Sequence, residues 1–403
     1  MTGGDRPGSS GVGELKRTRT GVVASAQPVR RPPGPPPSPT NLVASRRNPL
    51  RFLKRAASFG DLTFIQLGRG QFYLVVSPDY IQDIMVTNPR KFSNPGTFPF
   101  LGNGILVSEG EYHRRQRTIM KPAFHHTAVP AYAKTMAECT ARIEARWQDG
   151  EERDIHADMN MLTLAIVCQC LFSTDIDEEA ERLRSDMATV MELAGQVSGA
   201  FGPISRQDAL SSEGFQESFA AVDAWVYGVI ARRRRDPGES SDILSLLMQA
   251  QDDLTDEQIR DEMLALMVAG HETTANALSW TWYELSQRPE IEAKLQAEAD
   301  QVLGGRLPTF EDLPLLQYTQ MVISEALRMY PPVPVSARWT LEDHELGGYT
   351  IPAGSALLLA EYVVHRDPRW WPDPDRFDPE RWRPDARSGR PKFSYFPFGG
   401  GPR

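Results

Sequence analysis

An α-rich α+β fold, mainly α, is the expected class, and three observations lead to it. Helical periodicity recurs along most of the chain from Asn41 onward. Strand patterns are confined to one early hairpin and two short late segments. A chain of 403 residues also buries enough surface to fold without disulfides or structural metal.

The first forty residues stand apart. Gly and Ser dominate 2–13, and Arg30-Arg31-Pro32-Pro33-Gly34-Pro35-Pro36-Pro37-Ser38-Pro39 follows. Neither stretch can build a core, and the prolines favour polyproline II. Residues 1–40 are expected to form a disordered tail with a stiff lead-in, and 41–403 one domain; the prolines could also serve a proline-binding module.

Leu62 to Leu67 alternates, Gly68-Arg69-Gly70 turns, and 71–77 is rich in β-formers, which predicts a hairpin. Helical patterns follow over 81–87, 111–120, 130–147, 159–172, 179–195, 218–235 and 242–251. A long helix is predicted over 256–287, and short strands over 338–341 and 355–360. A coil rich in Pro, Asp, Arg and Trp comes after them.

Charge and composition remove whole classes of function. Lys and Arg total 44 against 53 Asp and Glu, a net charge of −9, which argues against a general nucleic-acid binder. The run Arg232-Arg233-Arg234-Arg235 reads as the exposed end of a helix. No stretch reaches the ~18 apolar residues of a membrane span, and no hydrophobic leader opens the chain. Cys139, Cys168 and Cys170 sit in apolar or helical contexts, as suits a reducing compartment. A cytoplasmic protein without a membrane anchor is expected.

The long helix carries the first chemical signal. Thr255-Asp256-Glu257-Gln258 has the form of a capping box and Pro289 closes the pattern, giving roughly 48 Å at ~1.5 Å per residue. Its middle, Ala269-Gly270-His271-Glu272-Thr273-Thr274, replaces good helix formers with a glycine and two β-branched residues. A threonine hydroxyl there can bond a carbonyl one turn back and bend the helix, while Gly270 lets another group approach closely. Glu272 beside Thr273 is an acid–alcohol pair suited to proton delivery. A tolerated kink in a core helix is the plainer reading of Gly and Thr alone.

Glu325 and Arg328, three apart on an amphipathic helix, can pair, and Arg381 in Pro379-Glu380-Arg381-Trp382 could complete a charge triad pinning the coil. The chain closes on Phe396-Pro397-Phe398-Gly399-Gly400-Gly401-Pro402-Arg403. It is no phosphate loop, because no Gly-Lys-Ser/Thr follows and no strand-to-helix context precedes it.

In order and spacing these motifs resemble the cytochromes P450, the haem-thiolate monooxygenases. Glu272 to Glu325 and Arg328 to Arg381 are each 53 residues apart, and Phe398 follows Arg381 by 17. The 269–274 string resembles the family's oxygen-activation motif, with Glu272 and Thr273 catalytic and Ala269 and Gly270 against the cofactor. Gly110-Glu111-Tyr112-His113-Arg114-Arg115-Gln116-Arg117 resembles its haem-propionate helix. The resemblance makes His113, Arg117, Arg338 and Arg403 propionate partners and puts Phe398 in the haem loop. Ala265, Leu266, Ala269, Val333, Val335 and the 94–105 loop would face the distal pocket.

The family pattern Phe-x-x-Gly-x-Arg-x-Cys places its axial cysteine two residues beyond Arg403, so the chain is expected to be C-terminally incomplete and to hold no metal ligand of its own. The implied cofactors are haem b, O2 and, through a redox partner, NAD(P)H. The implied partners are a small apolar organic substrate and a ferredoxin or flavodoxin-type donor docking near Arg114, Arg115 and Lys121. A haem-free scaffold and a haem-thiolate isomerase or peroxygenase are the alternative functions. The acid–alcohol pair argues against the last.

Overall fold

The computed structural model describes residues 30–94, 98–176, 179–197, 210–238, 242–250 and 254–402. The fold is mainly α, with two small sheets, as expected.

Residues 30–40, placed by composition in the tail, pack onto the domain. Pro32 and Pro35 are buried, and the Phe64 N–H donates to the Pro33 carbonyl at 3.0 Å. Gly34 is required there, since a Cβ would lie 1.9 Å from the Phe64 carbonyl oxygen. Two short helices without a sequence expectation follow, α1 (Pro39–Arg47) and α2 (Pro49–Ala57). Each begins with a proline behind a polar cap: Ser38 Oγ accepts from Thr40 N–H, and Asn48 Oδ1 from Arg51 N–H.

The hairpin forms as predicted from β1 (Leu62–Leu67) and β2 (Gly70–Val75). α3 (Pro78–Gln82) runs into a π-helical turn, Asp83–Thr87, before β3 (Phe92–Ser93). The helical half follows: α4 (Gly110–Met120), α5 (Val129–Glu144), α6 (Ile155–Phe172), α7 (Ala180–Val197), α8 (Glu213–Arg235), α9 (Ile243–Met248) and α10 (Asp256–Ser286). Pro289 ends the long pattern but also starts a helix of its own, α11 (Pro289–Leu303), which the sequence reading does not contain. α12 (Gln317–Met329) precedes β4 (Ser336–Thr340), β5 (His344–Leu346), β6 (Tyr349–Ile351), β7 (Ala356–Leu359) and α13 (Glu361–Val364).

The main sheet runs β1-β2-β7-β4-β3, with β7 parallel to β2 and antiparallel to β4; β5 and β6 form a separate ribbon. One core lies on the main sheet, built from Ile65, Leu74, Ile81, Ile84, Leu357 and Leu359. A larger one lies among α6, α8, α9 and α10, around Leu164, Phe172, Val226, Leu247, Met263 and Met267.

Ile155–Phe172 is 18 residues long and apolar enough to cross a membrane by length and composition, a property the sequence reading expects of no stretch; 56% of it is buried inside the fold, against α10 and α5. The four-arginine run ends α8 as expected, but Arg233 is drawn inward to Asp242 at 2.8 Å.

Candidate active site

The long helix α10 supplies one wall. Its start is closed by a full capping box: Thr255 Oγ1 accepts from Gln258 N–H at 3.2 Å, and Gln258 Oε1 from Thr255 N–H at 3.0 Å. Met263, Leu264, Met267, Val268, His271 and Ala275 are buried in the fold. Leu266, Ala269 and Thr273, at helical spacing, form a stripe left wholly or partly open.

The Thr273 hydroxyl donates to the Ala269 carbonyl at 2.7 Å, the one-turn bond the sequence suggests, within one continuous helix. Glu272 adjoins Thr273 in the chain but is bonded elsewhere: its Oε1 accepts from Asn276 Nδ2 at 3.3 Å. Asn276 Oδ1 in turn lies 3.2 Å from His156 Nε2 on α6. Neither His156 nor Asn276 is among the residues predicted for the site.

Two further contacts on this helix involve residues singled out in the sequence. The group approaching Gly270 is Val167 of α6, whose Cγ2 would lie 2.9 Å from an added Cβ, so this glycine serves helix–helix packing. Ala265 is buried, not open to a pocket, and the backbone of Gly104 presses directly on it. His271 is also buried; desolvation first, then the neighbouring His156 and Arg184, lower its pKa to about 4, so the ring is neutral.

The second wall comes from α4 and the Gly-rich terminus. Arg117 projects from α4, and its Nη1 donates to the Pro402 carbonyl at 2.5 Å, which joins two motifs far apart in sequence. His113 is half-buried one turn earlier on the same helix. Arg338 extends from β4, its Nη1 on the Ala337 carbonyl at 2.8 Å. Arg403 and part of the 94–105 loop lie outside the described residues.

Gly399 and Gly401 take φ of +67° and +79°, and a Cβ at Gly401 would meet the Met85 carbonyl oxygen at 1.8 Å. The loop thus lies with its backbone against the π-helical turn. Phe398 stays 88% exposed and Val333 43%, while Val335 is partly buried against the sheet core. Open apolar surface of this kind, close to cationic side chains, fits a flat apolar group with an acidic edge.

Beneath the loop lies the charge triad. Glu325 and Arg328 are both 0% exposed; Arg328 Nε and Nη2 each bond a different carboxylate oxygen at 2.8 Å. Arg381 Nε adds a contact at 3.4 Å. Two donors that sequence reasoning missed complete the carboxylate's shell, Trp382 Nε1 and the Asp378 N–H, both at 2.9 Å. Trp382 stands inside the Pro-Glu-Arg-Trp motif, so its signal was present; Asp378 contributes backbone and has none.

Arg328 also donates from Nη1 to the His365 carbonyl at 2.8 Å, and His365 Nε2 accepts the Phe396 N–H at 2.9 Å. Burial, followed by Arg328 and Arg366, pushes the His365 pKa down to about 3. The neutral ring with an unprotonated Nε2 is therefore the form that can receive this N–H. The connection runs from triad to histidine to the first residue of the Gly-rich motif.

The sequence profile described as Cytochrome P450 matches residues 32–403. The chain is 38% identical over 385 residues to cyclooctatin synthase of Streptomyces melanosporofaciens, covering 92% of this chain and 83% of that protein. It is 36% identical to cyclooctat-9-en-7-ol 5-monooxygenase of the same organism, with 94% and 86% covered. It is 34% identical to pentalenene oxygenase of Streptomyces avermitilis, with 92% and 85% covered. Among solved structures, the cytochrome P450DA heme domain superposes with a TM-score of 0.81 at 26% identity, covering 93% of this chain and 86% of that one.

Proposed function

This chain belongs to the cytochrome P450 family and is a monooxygenase, and from that premise we propose that it oxidises a cyclic terpenoid with electrons from a ferredoxin or flavodoxin-type protein, ultimately from NAD(P)H, in the cytoplasm. The substrate class rests on the likeness to the three Streptomyces proteins. The open stripe of Leu266 and Ala269 with exposed Val333 supports it, because a hydrocarbon skeleton needs apolar walls.

Haem b would be held by Arg117, Arg338, Arg403 and His113 at its propionates, where cationic partners offset the burial of two carboxylates. Ala269 and Gly270 would flank one face, and Phe398 and the Gly-rich loop the other. The family pattern's axial cysteine would follow Arg403 by two residues. When bound, the haem supplies activation of O2 and transfer of one oxygen atom to the substrate.

The chain's own contribution is proton handling and exclusion of water. Thr273 holds a proton on Oγ1, parked on the Ala269 carbonyl and free to turn toward the site. Glu272 is held by Asn276, which also reaches His156, and would take protons from that side. Arg114 and Lys121 are exposed beside α4, and with Arg115 they would offer an acidic donor protein a cationic face.

The test is turnover by the protein extended through its axial cysteine, with a ferredoxin and its reductase, supplied with pentalenene, cyclooctat-9-en-7-ol or a long-chain fatty acid. A terpenoid product heavier by one oxygen atom is expected. Oxidation of the fatty acid alone would overturn the substrate class.

A further inference from the structure

Two adjacent acids on α10, Asp261 and Glu262, are buried about two turns before Ala269, and the site described above does not use them. Both reach the same segment, Leu101-Gly102-Asn103-Gly104-Ile105. Asp261 Oδ2 accepts the Asn103 N–H at 2.7 Å, and Glu262 Oε2 accepts the Ile105 N–H, also at 2.7 Å. The glycines between make the approach possible. Gly102 has φ +55°, and a Cβ there would stand 2.1 Å from Asp261 Oδ2; one at Gly104 would stand 2.4 Å from the Asp261 carbonyl oxygen. Turn bonds Gly104 N–H to Leu101 O and Ser108 N–H to Gly104 O keep the segment compact.

The two acids differ in their surroundings. Asp261 is balanced by Arg260, whose Nη1 lies 2.7 Å from Oδ1 and whose Nε is bonded to Asp223 of α8. Glu262 is fully buried and faces Tyr112, with Arg115 of α4 nearby. Its Oε1, like the Ser108 hydroxyl, has no hydrogen-bond partner among the described residues. Burial pushes the Glu262 carboxyl up to about 7, partly offset by the Ile105 N–H and reinforced by Asp261. An aliphatic residue would fill this position at less cost, since burying a carboxyl with an oxygen unpaired is unfavourable.

We infer that Asp261 and Glu262 are positioning residues for the oxidation, a double latch that seats the Leu101–Val107 segment on the long helix and so sets the shape of the substrate cavity. The seat lies about 17 Å along the helix from Thr273, at ~1.5 Å per residue. Ile105, Leu106 and Val107 follow it and are partly buried against the helical core. Moving the seat therefore moves three apolar side chains together. The reaction role rests on the terpenoid reading above; the latch does not.

Hydrogen–deuterium exchange over 98–108 in the full chain tests the latch. Glu262→Ala should raise exchange at the Ile105 amide about tenfold or more while α6 and α10 stay protected. Glu262→Gln keeps an acceptor oxygen and should retain protection, but lose the wild-type gain in protection between pH 6 and pH 8. In the haem-loaded enzyme, Glu262→Ala should spread a terpenoid's product over several positions, and Glu262→Gln should not. If Glu262→Ala fails to fold, Gly104→Ala lifts the segment by a steric clash with the Asp261 backbone, leaving both carboxyl groups in the chain, and should give the same two changes. Wild-type exchange at Asn103 and Ile105 in Glu262→Ala, or in Gly104→Ala as its substitute, would overturn the latch. A released segment with an unchanged product distribution would overturn its role in the reaction. Failure to oxidise any terpenoid would instead strike the substrate reading, leaving the exchange result to decide the latch.

Discussion

Glu325 and Arg328 form a two-pronged ion pair shut off completely from solvent, with both oxygen–nitrogen distances at 2.8 Å. Arg381, Trp382 and the Asp378 amide approach the same carboxylate from the coil, so one side chain of α12 anchors a segment more than fifty residues downstream. Through Arg328 and His365 the same anchor reaches the Gly-rich loop.

Glu325→Ala should therefore cost roughly 3–5 kcal/mol, the penalty for leaving a buried guanidinium without its counter-charge. Against a domain stability of ~5–15 kcal/mol that is a large share. In the protein extended through its axial cysteine, circular dichroism should show near-native helix content while the melting temperature drops and haem uptake, read from Soret absorbance, is lost. A variant that melts like the wild type would show the triad to be dispensable.

Acid should weaken the fold through His271 and His365. Both are held neutral, with pKa values of about 4 and about 3, whereas the unfolded chain takes up protons near pH 6.5. Each thus contributes stability that is complete above pH 6.5 and drains away as the pH falls toward its folded value, at up to ~1.4 kcal/mol per pH unit. Glu262 and Glu361, each raised to about 7 by burial, act in the opposite sense between about pH 4.5 and 7. Urea titrations of wild type and His365→Gln should show the variant losing part of the slope below pH 6.5; equal slopes would remove His365 from the acid response.

In the protein extended through its axial cysteine, Thr273→Ala should uncouple the reaction. The hydroxyl now on the Ala269 carbonyl is the proton source placed on the open stripe. NAD(P)H consumption should continue while a greater share of the reduced oxygen is released as hydrogen peroxide, and Thr273→Ser should restore coupling. Unchanged product per NAD(P)H in the alanine variant would take Thr273 out of the proton path.

Gly270→Ala sets helix propensity against packing. Alanine favours the helix by about 1 kcal/mol, but its Cβ meets Val167 Cγ2 at 2.9 Å, and overpacking of this kind costs ~1–3 kcal/mol. The single variant should be destabilised, and Val167→Ala in the same chain should recover most of the loss. Thermal melts of the single and double variants measure the coupling; additive losses would place the constraint on Gly270 elsewhere.

Residues that act through periodicity or a fixed local motif were legible in advance. The capping box of α10, the β1–β2 hairpin and the Glu325–Arg328 pair needed no long-range information. What stayed hidden depends on contacts between distant segments. Nothing local marks His365 as the acceptor for Phe396, or Asp261 and Glu262 as acceptors for a loop more than 150 residues upstream. The contact of Gly270 with Val167 was also hidden, because a glycine in a helix looks the same whether a ligand or a neighbouring helix lies beside it. Pro289 likewise signals an ending and a beginning with one residue.

The proline-rich lead-in also has a bearing on solubility. β1 is an outermost strand of the main sheet, and a bare strand edge is a template for pairing with another molecule. Pro32 to Pro35 lies along that edge, spending one carbonyl on Phe64 and offering few amide donors of its own to a second strand. The lead-in thus works as a guard rail, occupying the edge without extending it. A protein begun at Ser38 would keep its helices and its charge triad yet expose this margin, and it should form concentration-dependent aggregates that the longer chain does not.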